Sequence, residues 1–470
     1  MADVKHIVII GSGPGGYVAA IRAAQLRARV TVVENQALGG VCLNWGCIPS
    51  KALLAVVELG DKAKKAAELG LTLSGPVGYD LRRMVARKNK VVDSLVKGVA
   101  TLFKTWGIQH LQGTGALRDE RTVRVVNADG SESRVEAAAV IVATGSSWPN
   151  LPLFPIDGRQ IITSKHALDL TEIPQRLLIV GAGVEGCEFA SLYGGLGTQV
   201  TMVELLPRIL PLEDEEIAGV IGRELKRRGV TVHVGTTVEI LKQESDGVHL
   251  RFKNGVTLTV DQVLVSVGRG LNSKGLGLEK IGVQVGARGE ILVNEYLETN
   301  VSGIYAIGDV VGTAMLAHVA SAQGKVAVDH IMGGSRKIAY EVIPAGIFTL
   351  PEIGRVGLTE QQARERGHDI KVGRFRHVAL GKAHAVADTT GMFKIIADAR
   401  TDALLGVHIV GAHAADLIHE AAIAMQLGAK AAHVAETIHA HPTLSEGVME
   451  AAEDVEGLAI HLARQRAPQA

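Results

Sequence analysis

The sequence predicts an α/β protein with two doubly wound units, each a parallel sheet flanked by helices, and three observations predict it. A glycine-rich turn, Gly11-Ser12-Gly13-Pro14-Gly15-Gly16, directly follows an apolar run near the start of the chain. The same arrangement returns as Gly181-Ala182-Gly183-Val184-Glu185-Gly186, 170 residues later (181 − 11). In both copies an acid closes the unit at the same distance: Glu34 stands 18 residues after Gly16, and Glu204 stands 18 after Gly186.

Residues 4–10 read as a buried strand, 17–26 as a helix, and 29–33 as a second strand ending on Glu34. Gly11 permits the tight turn, Gly13 lets the backbone approach a pyrophosphate, and Gly16 lets helix and strand pack closely. The helix N-terminus turns its N–H groups and positive dipole end toward the phosphates. A glycine turn alone is a weak signal. With an acid placed to accept the ribose hydroxyls of an adenosine, the unit points to a Rossmann-like dinucleotide site. The run VIVATGS, followed by Pro149, Pro152 and Pro155, marks a break between the units at residues 146–158. The second copy spans residues 176–204, with strands at 177–180 and 199–203 around its helix. Further on, TNVSGIYAIGD at residues 299–309 reads as a strand ending in Asp309, and beyond Pro344 the chain becomes rich in Ala and His.

Forty-nine Lys plus Arg balance 49 Asp plus Glu, which removes the electrostatic case for nucleic acid or an anionic membrane as partner. The apolar run before the first glycine covers only residues 7–10, too short for a signal-peptide core. No segment is expected to reach the ~18 apolar residues that would span a bilayer. Three cysteines are too few for a secreted disulfide scaffold, so a soluble cytoplasmic protein is expected.

Two of those cysteines sit five apart in GGVCLNWGCIPSK, residues 39–51. A disulfide needs its Cα atoms within roughly 4.4–6.8 Å, whereas five residues of straight helix rise about 7.5 Å. Gly46 and Pro49 permit a distorted first turn, so the stretch suits a bridge at the start of a helix. A cysteine there meets a positive helix end that stabilises a thiolate. Lys51 lies four residues past Cys47, on the same helix face. Two packed core cysteines beside a glycine turn, with Lys51 merely solvated, is the bland alternative. Cys187, inside the second unit's helix, reads as a small buried residue.

Among 17 histidines, His441 stands out because it precedes Pro442 and lies five residues before Glu446. Thr443 to Glu446 also form a capping-box pattern, which by itself accounts for the acid. The same carboxylate could hold the tautomer and charge of the imidazole.

GGVCLNWGCIPSK, with GSGPGG, VIVATGS, GAGVEGCEFA, YAIGDV and HPTLSE in this order, resembles the pyridine nucleotide-disulfide oxidoreductases over nearly the whole chain. Among them it is most similar to the members that reoxidise dihydrolipoamide. The resemblance implies FAD at the first unit and NAD at the second. It implies an FAD domain (1–147), an NAD domain (148–272), a central domain completing the FAD site (273–343) and an α+β dimerisation domain (344–470). Cys42 and Cys47 would form the redox disulfide, and Lys51 would pair with Glu188 near the flavin. Gly115, Asp309, Met315, Ala317 and His318 would line the FAD site, and Val238 and Gly268 the NAD site. His441, after which the family has a cis peptide, would be the acid/base, oriented by Glu446 and delivered to the partner chain of a homodimer. No metal is implied. The carrier of the substrate would be a lipoylated acyltransferase of a 2-oxoacid dehydrogenase complex or the glycine cleavage carrier protein.

Three positions depart from the family pattern: Glu185 in the second glycine loop, Gly270-Leu271 after VGR, and the run IFTLPEIGRVGLTE. They bear on the nicotinamide pocket. A glutathione-type reductase working with NADPH would want arginines near position 204, where Arg208 is the only nearby cation. A mercuric or large thioredoxin reductase would carry a further cysteine pair after Cys187. A non-catalytic assembly subunit would have lost a cysteine or His441, and none is lost.

Overall fold

The computed structural model describes residues 4–463. Among these its first unit takes in residues 4–56, then Pro76–Glu172 and Val267–Ala339. Here His6–Ile10 is the middle strand of a parallel sheet, with Arg29–Glu34 and Gln109–Gln112 on one side and Ala139–Val142 and Ile304–Ala306 on the other. Ile7, Val8, Ile9 and Ile10 are consecutive and all buried, as a strand covered on both faces requires. Alternation then divides them. Ile7 and Ile9 pack with Ala19, Ala23 and Val326, while Val8 and Ile10 pack with Leu117, Val123 and Val125.

The first helix, Pro14–Gln25, begins three residues earlier than the sequence suggests. Proline at its first position lacks an N–H that would have found no partner within the helix anyway. This helix lies against Ala317–Ile331 so closely that a Cβ on Gly324 would come within 2.7 Å of the Gly15 carbonyl oxygen. Small residues therefore bring together two helices that both start beside the same sheet.

One stretch departs from the expectation that nothing is apolar and long enough to cross a bilayer. Gly40–Lys64 passes on length and composition, with a mean hydropathy of 1.4. Gly46, at φ −137° and ψ −111°, divides it into Gly40–Trp45 and Cys47–Lys64, so it is two helices rather than one span.

Among the described residues the second unit comprises Val57–Gly75, Ile173–Ser266 and residues 340–463. It repeats the parallel arrangement, with Arg176–Val180 between Gln199–Val203 and Gln262–Val265 and with Thr231–His233 beyond. A meander of Val238–Glu244, Gly247–Phe252 and Thr257–Val260 follows. After Tyr340 comes a five-stranded antiparallel sheet in the order Ala345–Ile347, Glu352–Gly357, Leu404–Gly411, Met392–Asp398, Ile370–Arg376. Every residue of Met392–Asp398 is buried. The helix Glu446–Asp454 sits on this strand and its neighbour. A Cβ on Gly447 would collide with the ring of Phe393, and one on Gly373 would collide with the Ala451 carbonyl.

On the opposite side of that strand, Lys394 is buried with its ammonium 2.9 Å from Asp214, 2.7 Å from Glu216 and 2.9 Å from Glu360. Arg374 adds a second cation to Glu216 and Glu360. Its hydrogen bond, with that of Lys394, outweighs partial burial and holds the Glu216 carboxyl at about 2. The ordinary value is 4.5, so the stability Glu216 contributes is present above pH 4.5 and is lost as pH falls from there toward 2. Removing one partner of a buried ion cluster leaves uncompensated charge, at a cost of about 3–5 kcal/mol. Lys394→Met should therefore lower the unfolding free energy at neutral pH by that amount in denaturant titrations followed by circular dichroism. The difference from wild type should shrink as the carboxyls protonate below pH 4.5. A loss under ~1 kcal/mol at neutral pH would show that the cluster does not support the fold.

Candidate active site

The two glycine turns have the same construction. Gly11 takes φ +103° and Gly181 φ +98°, and a Cβ on Gly16 or Gly186 would run into the carbonyl of the first glycine of its own loop. Gly13 and Gly183 are the N-caps of their helices and offer no capping side chain, so each helix presents its N-terminal N–H groups to whatever lies over the loop. The closing acids are held by the same pair of backbone amides. One oxygen of Glu34 accepts from the Ser12 N–H at 2.9 Å and the Ser12 hydroxyl at 2.7 Å, and its other oxygen accepts from the Gln36 N–H at 2.8 Å. Glu204 accepts from the Ala182 N–H at 2.7 Å and the Leu206 N–H at 2.8 Å. Each carboxylate thus ties the far end of the second strand to the glycine turn. A bare-backbone cradle, an uncapped helix end and a fixed acid fit a dinucleotide in both units.

Around the first turn, Gly115 lies in the strand Thr114–Asp119, where a Cβ would press on Ile10 and Val33. Asp309 does not end a strand as the sequence suggests. The strand stops at Ala306, and Asp309 belongs to the 3-10 turn Gly308–Val311. Gly308, at φ +75°, breaks the extended run there, and its N–H is bound by the Gln323 side chain at 2.6 Å. Asp309 accepts from the buried Ser146 hydroxyl at 2.5 Å. Arg269 donates to the same hydroxyl at 3.1 Å and to the Ser146 carbonyl at 2.8 Å, with its guanidinium 4.6 Å from the centre of the Trp148 ring. Ser146, Trp148 and Arg269 escaped the sequence reading, although VIVATGS and VGR contain two of them. Met315 is exposed, and Ala317 and His318 begin the helix Ala317–Ile331.

Val238 is buried at the start of its strand, and Gly268 takes φ +99° three residues past Gln262–Val265. Arg208 donates to the carbonyls of Leu210, Pro211 and Glu213, so its guanidinium holds its own loop together. Glu188 is buried and accepts from the Phe348 N–H at 2.9 Å. Cys187 is buried too, and burial, ahead of the charges of Glu188 and Glu204, pushes its thiol far above the ordinary range. It is a packed side chain, as expected.

Cys42 and Cys47 are joined, with their Cα atoms 4.8 Å apart. The separation is far below that of five residues on a straight helix because Gly46 turns the chain between the two helices. Cys42 lies in the short first helix, and Cys47 is the first residue of an 18-residue helix, at its positive end. Lys51 follows one turn later. Trp45, between the cysteines, has the Lys165 ammonium 4.7 Å from its ring centre.

The imidazole Nδ1 of His441 is 2.8 Å from one oxygen of Glu446, whose other oxygen accepts from the Thr443 N–H at 2.8 Å. Only the glutamate half of the expected capping box forms. The Thr443 hydroxyl donates to the Ala440 carbonyl instead, and Ser445 occupies the N-cap without a side-chain cap. The helix starts too late for Thr443 to reach its amides. Burial favours the neutral Glu446 acid, yet the Thr443 amide and the His441 ring hold its carboxyl below the ordinary value. The His441–Pro442 peptide is cis. The His441 side chain is 76% exposed, while His377 and His408 are core residues. It is therefore open to solvent and to reactants, with a carboxylate fixing one nitrogen and leaving the other outward.

Residues 5–324 match the family model described as pyridine nucleotide-disulphide oxidoreductase, and residues 343–452 match the dimerisation domain of the same family. A leghemoglobin reductase of Vigna unguiculata is 43% identical over 96% of this chain and 87% of its own length. A mitochondrial dihydrolipoyl dehydrogenase of Pisum sativum is 42% identical over 98% of this chain and 93% of its own. The crystal structure of LpdA from Mycobacterium tuberculosis superposes with a TM-score of 0.91 at 31% identity, covering 96% of this chain and all of the other. FAD, a nicotinamide nucleotide, a redox-active Cys42–Cys47 disulfide and a homodimer accord with the two glycine turns, the bridged cysteines and the antiparallel C-terminal sheet, and the chain belongs to the pyridine nucleotide-disulphide oxidoreductases.

Proposed function

We propose that this disulfide oxidoreductase reoxidises protein-bound dihydrolipoamide and passes the electrons to NAD, as a component of a 2-oxoacid dehydrogenase complex or of the glycine cleavage system. The observation that carries the choice of NAD is Glu204. Its carboxylate is anchored at the end of the second strand, where it suits free ribose hydroxyls and repels a phosphate, and the nearby Arg208 is engaged with backbone carbonyls. The substrate rests on the likeness to dihydrolipoyl dehydrogenases. We further assign residues 1–147 to FAD binding, 148–272 to NAD binding, 273–343 to completing the FAD site and 344–470 to dimerisation.

In this reading the His441 ring, held by Glu446, takes a proton from one thiol of dihydrolipoamide. The thiolate attacks the Cys42 sulfur, the Cys42–Cys47 bond breaks, and Cys47 departs as a thiolate favoured by the helix N-terminus. The second substrate thiol then displaces Cys42 from the mixed disulfide, releasing oxidised lipoamide and leaving both cysteines reduced. FAD, which the first glycine turn and Glu34 would hold, would supply the two-electron link from this dithiol to NAD. Lys51 carries its charge on the face of Cys47, and the His441 that serves each disulfide comes from the partner chain.

The deciding assay compares dihydrolipoamide plus NAD with glutathione disulfide plus NADPH. The first pair should turn over and the second should not. With dihydrolipoamide, kcat/KM for NAD should exceed that for NADP at least about tenfold, or ~1.4 kcal/mol of discrimination. A preference for NADP would overturn the reading.

The cysteine roles follow from Cys47 alone heading the long helix. At mildly acidic pH, Cys47 in a Cys42→Ser variant should react with iodoacetamide at least about tenfold faster than Cys42 in a Cys47→Ser variant. The reverse order would exchange the two roles.

His441→Ala homodimers should lose about 10²–10⁴ in rate. Mixed dimers with Cys47→Ser on one chain and His441→Ala on the other should recover about half of wild-type activity if the histidine serves the partner chain, since one site then holds both lesions and the other none. No recovery in purified heterodimers would mean that it serves its own chain.

A further inference from the structure

The helix Glu446–Asp454 carries a second histidine–carboxylate pair. Glu450 follows Glu446 by four residues and so lies on the same face, about 6 Å along the axis. It is 3% exposed, and an acid is seldom buried so completely without a partner. The partner is His461. Its ring Nδ1 contacts one oxygen of Glu450, and its backbone N–H donates to the other at 3.3 Å. The chain beyond the helix therefore folds back and sets an imidazole, itself 68% exposed, over a buried carboxylate.

The hydrogen bond and charge of Glu450, then the charges of Glu446 and Glu453, hold the His461 proton more tightly than usual. His461 in turn is among the groups that keep Glu446 ionised. Of the charged groups on the elements packed against this helix, all but Arg376 are engaged elsewhere. Lys371 pairs with Glu456, and Arg374 pairs with Glu216 and Glu360. Lys394 sits in its own buried cluster, Asp398 holds the turn at Thr401, and the His433 ring bonds the Lys430 N–H. Arg376 ends its strand exposed.

Two carboxylates one turn apart, served by His441 alone, would surround that ring with more negative charge than Glu446 supplies. A ring so placed keeps its proton to higher pH and is a poorer acceptor of the substrate proton at neutral pH. We propose that His461 is a positioning residue for proton transfer at His441: it neutralises Glu450, so that Glu446 alone sets the field at the His441 ring. This rests on the reading of His441 as the acid/base.

The test is the pH profile of kcat/KM for dihydrolipoamide in the holoenzyme. His461→Gln keeps a hydrogen-bond donor and removes the cation. It should move the acid limb upward by about 0.3–1 pH unit, the range for one charge at ~10 Å between water-like and partly buried surroundings. Glu450→Gln/His461→Gln removes the stranded carboxylate as well and should return the limb to its wild-type position. A purely structural role would lower the rate at every pH, and the double variant would not restore it. An unmoved limb in His461→Gln, or a limb still displaced in the double variant, overturns the proposal. If His461→Gln does not fold, His461→Lys, which keeps the cation, and the double variant must both retain the wild-type limb, and a displaced limb in either overturns it. His441→Gln is the control. Should it retain activity, the acid/base reading itself fails, whatever the His461 variants do.

Discussion

A carboxylate that hydrogen-bonds the backbone of its own glycine loop holds each dinucleotide half of this protein in shape. Glu34 and Glu204 each reach back 22 residues to the loop position after the first glycine, and each also takes the amide two residues ahead. The bond fixes the distance between the glycine turn and the end of the second strand. Because the turn admits no Cβ at Gly16 or Gly186, helix and strand approach until little but backbone separates them. The parallel sheets then extend from these central strands, and the acids are oriented before any ligand arrives. Such pre-organisation removes part of the ordering cost of binding.

The disulfide obeys a different constraint, the pitch of the helix. Cys42 and Cys47 could not meet on one regular helix, and the break at Gly46 both brings their Cα atoms to 4.8 Å and gives Cys47 the first position of a new helix. Bridge and electrostatic asymmetry therefore have a single cause. In the proposed reaction the sulfur at the helix end is the better leaving group, and its neighbour, back in the short helix, is the one that exchanges with substrate.

In the C-terminal part the helix Glu446–Asp454 has the corresponding role. Gly447 and Gly373 let it settle onto Phe393 and onto the neighbouring strand, and that close seat orients Glu446 toward His441 and Glu450 toward His461. Beneath the sheet, Lys394 and its carboxylates tie the strand to the start of the helix Glu215–Arg227. The His441 ring thus stands on a rigid support while it remains open to solvent.

The glycine turns, their closing acids, the bridged cysteines and the His441–Glu446 pair were legible in the sequence, because each is set by residues close in the chain whose spacing has a direct geometric meaning. The family assignment followed from their order. What only the tertiary structure decided depends on residues far apart in the chain. Ser146 reaches Asp309 across 163 positions and Arg269 reaches Ser146 across 123, and no local period announces such contacts. The Lys394 cluster gathers carboxylates from near 214 and 360, and its lysine looks in sequence like any surface cation within a strand. The half-formed capping box at Thr443 and the clamp of His461 on Glu450 were hidden for a related reason. The spacing shows which side chains can reach a helix end or face, but packing on Phe393 fixes where the helix begins and where the chain returns.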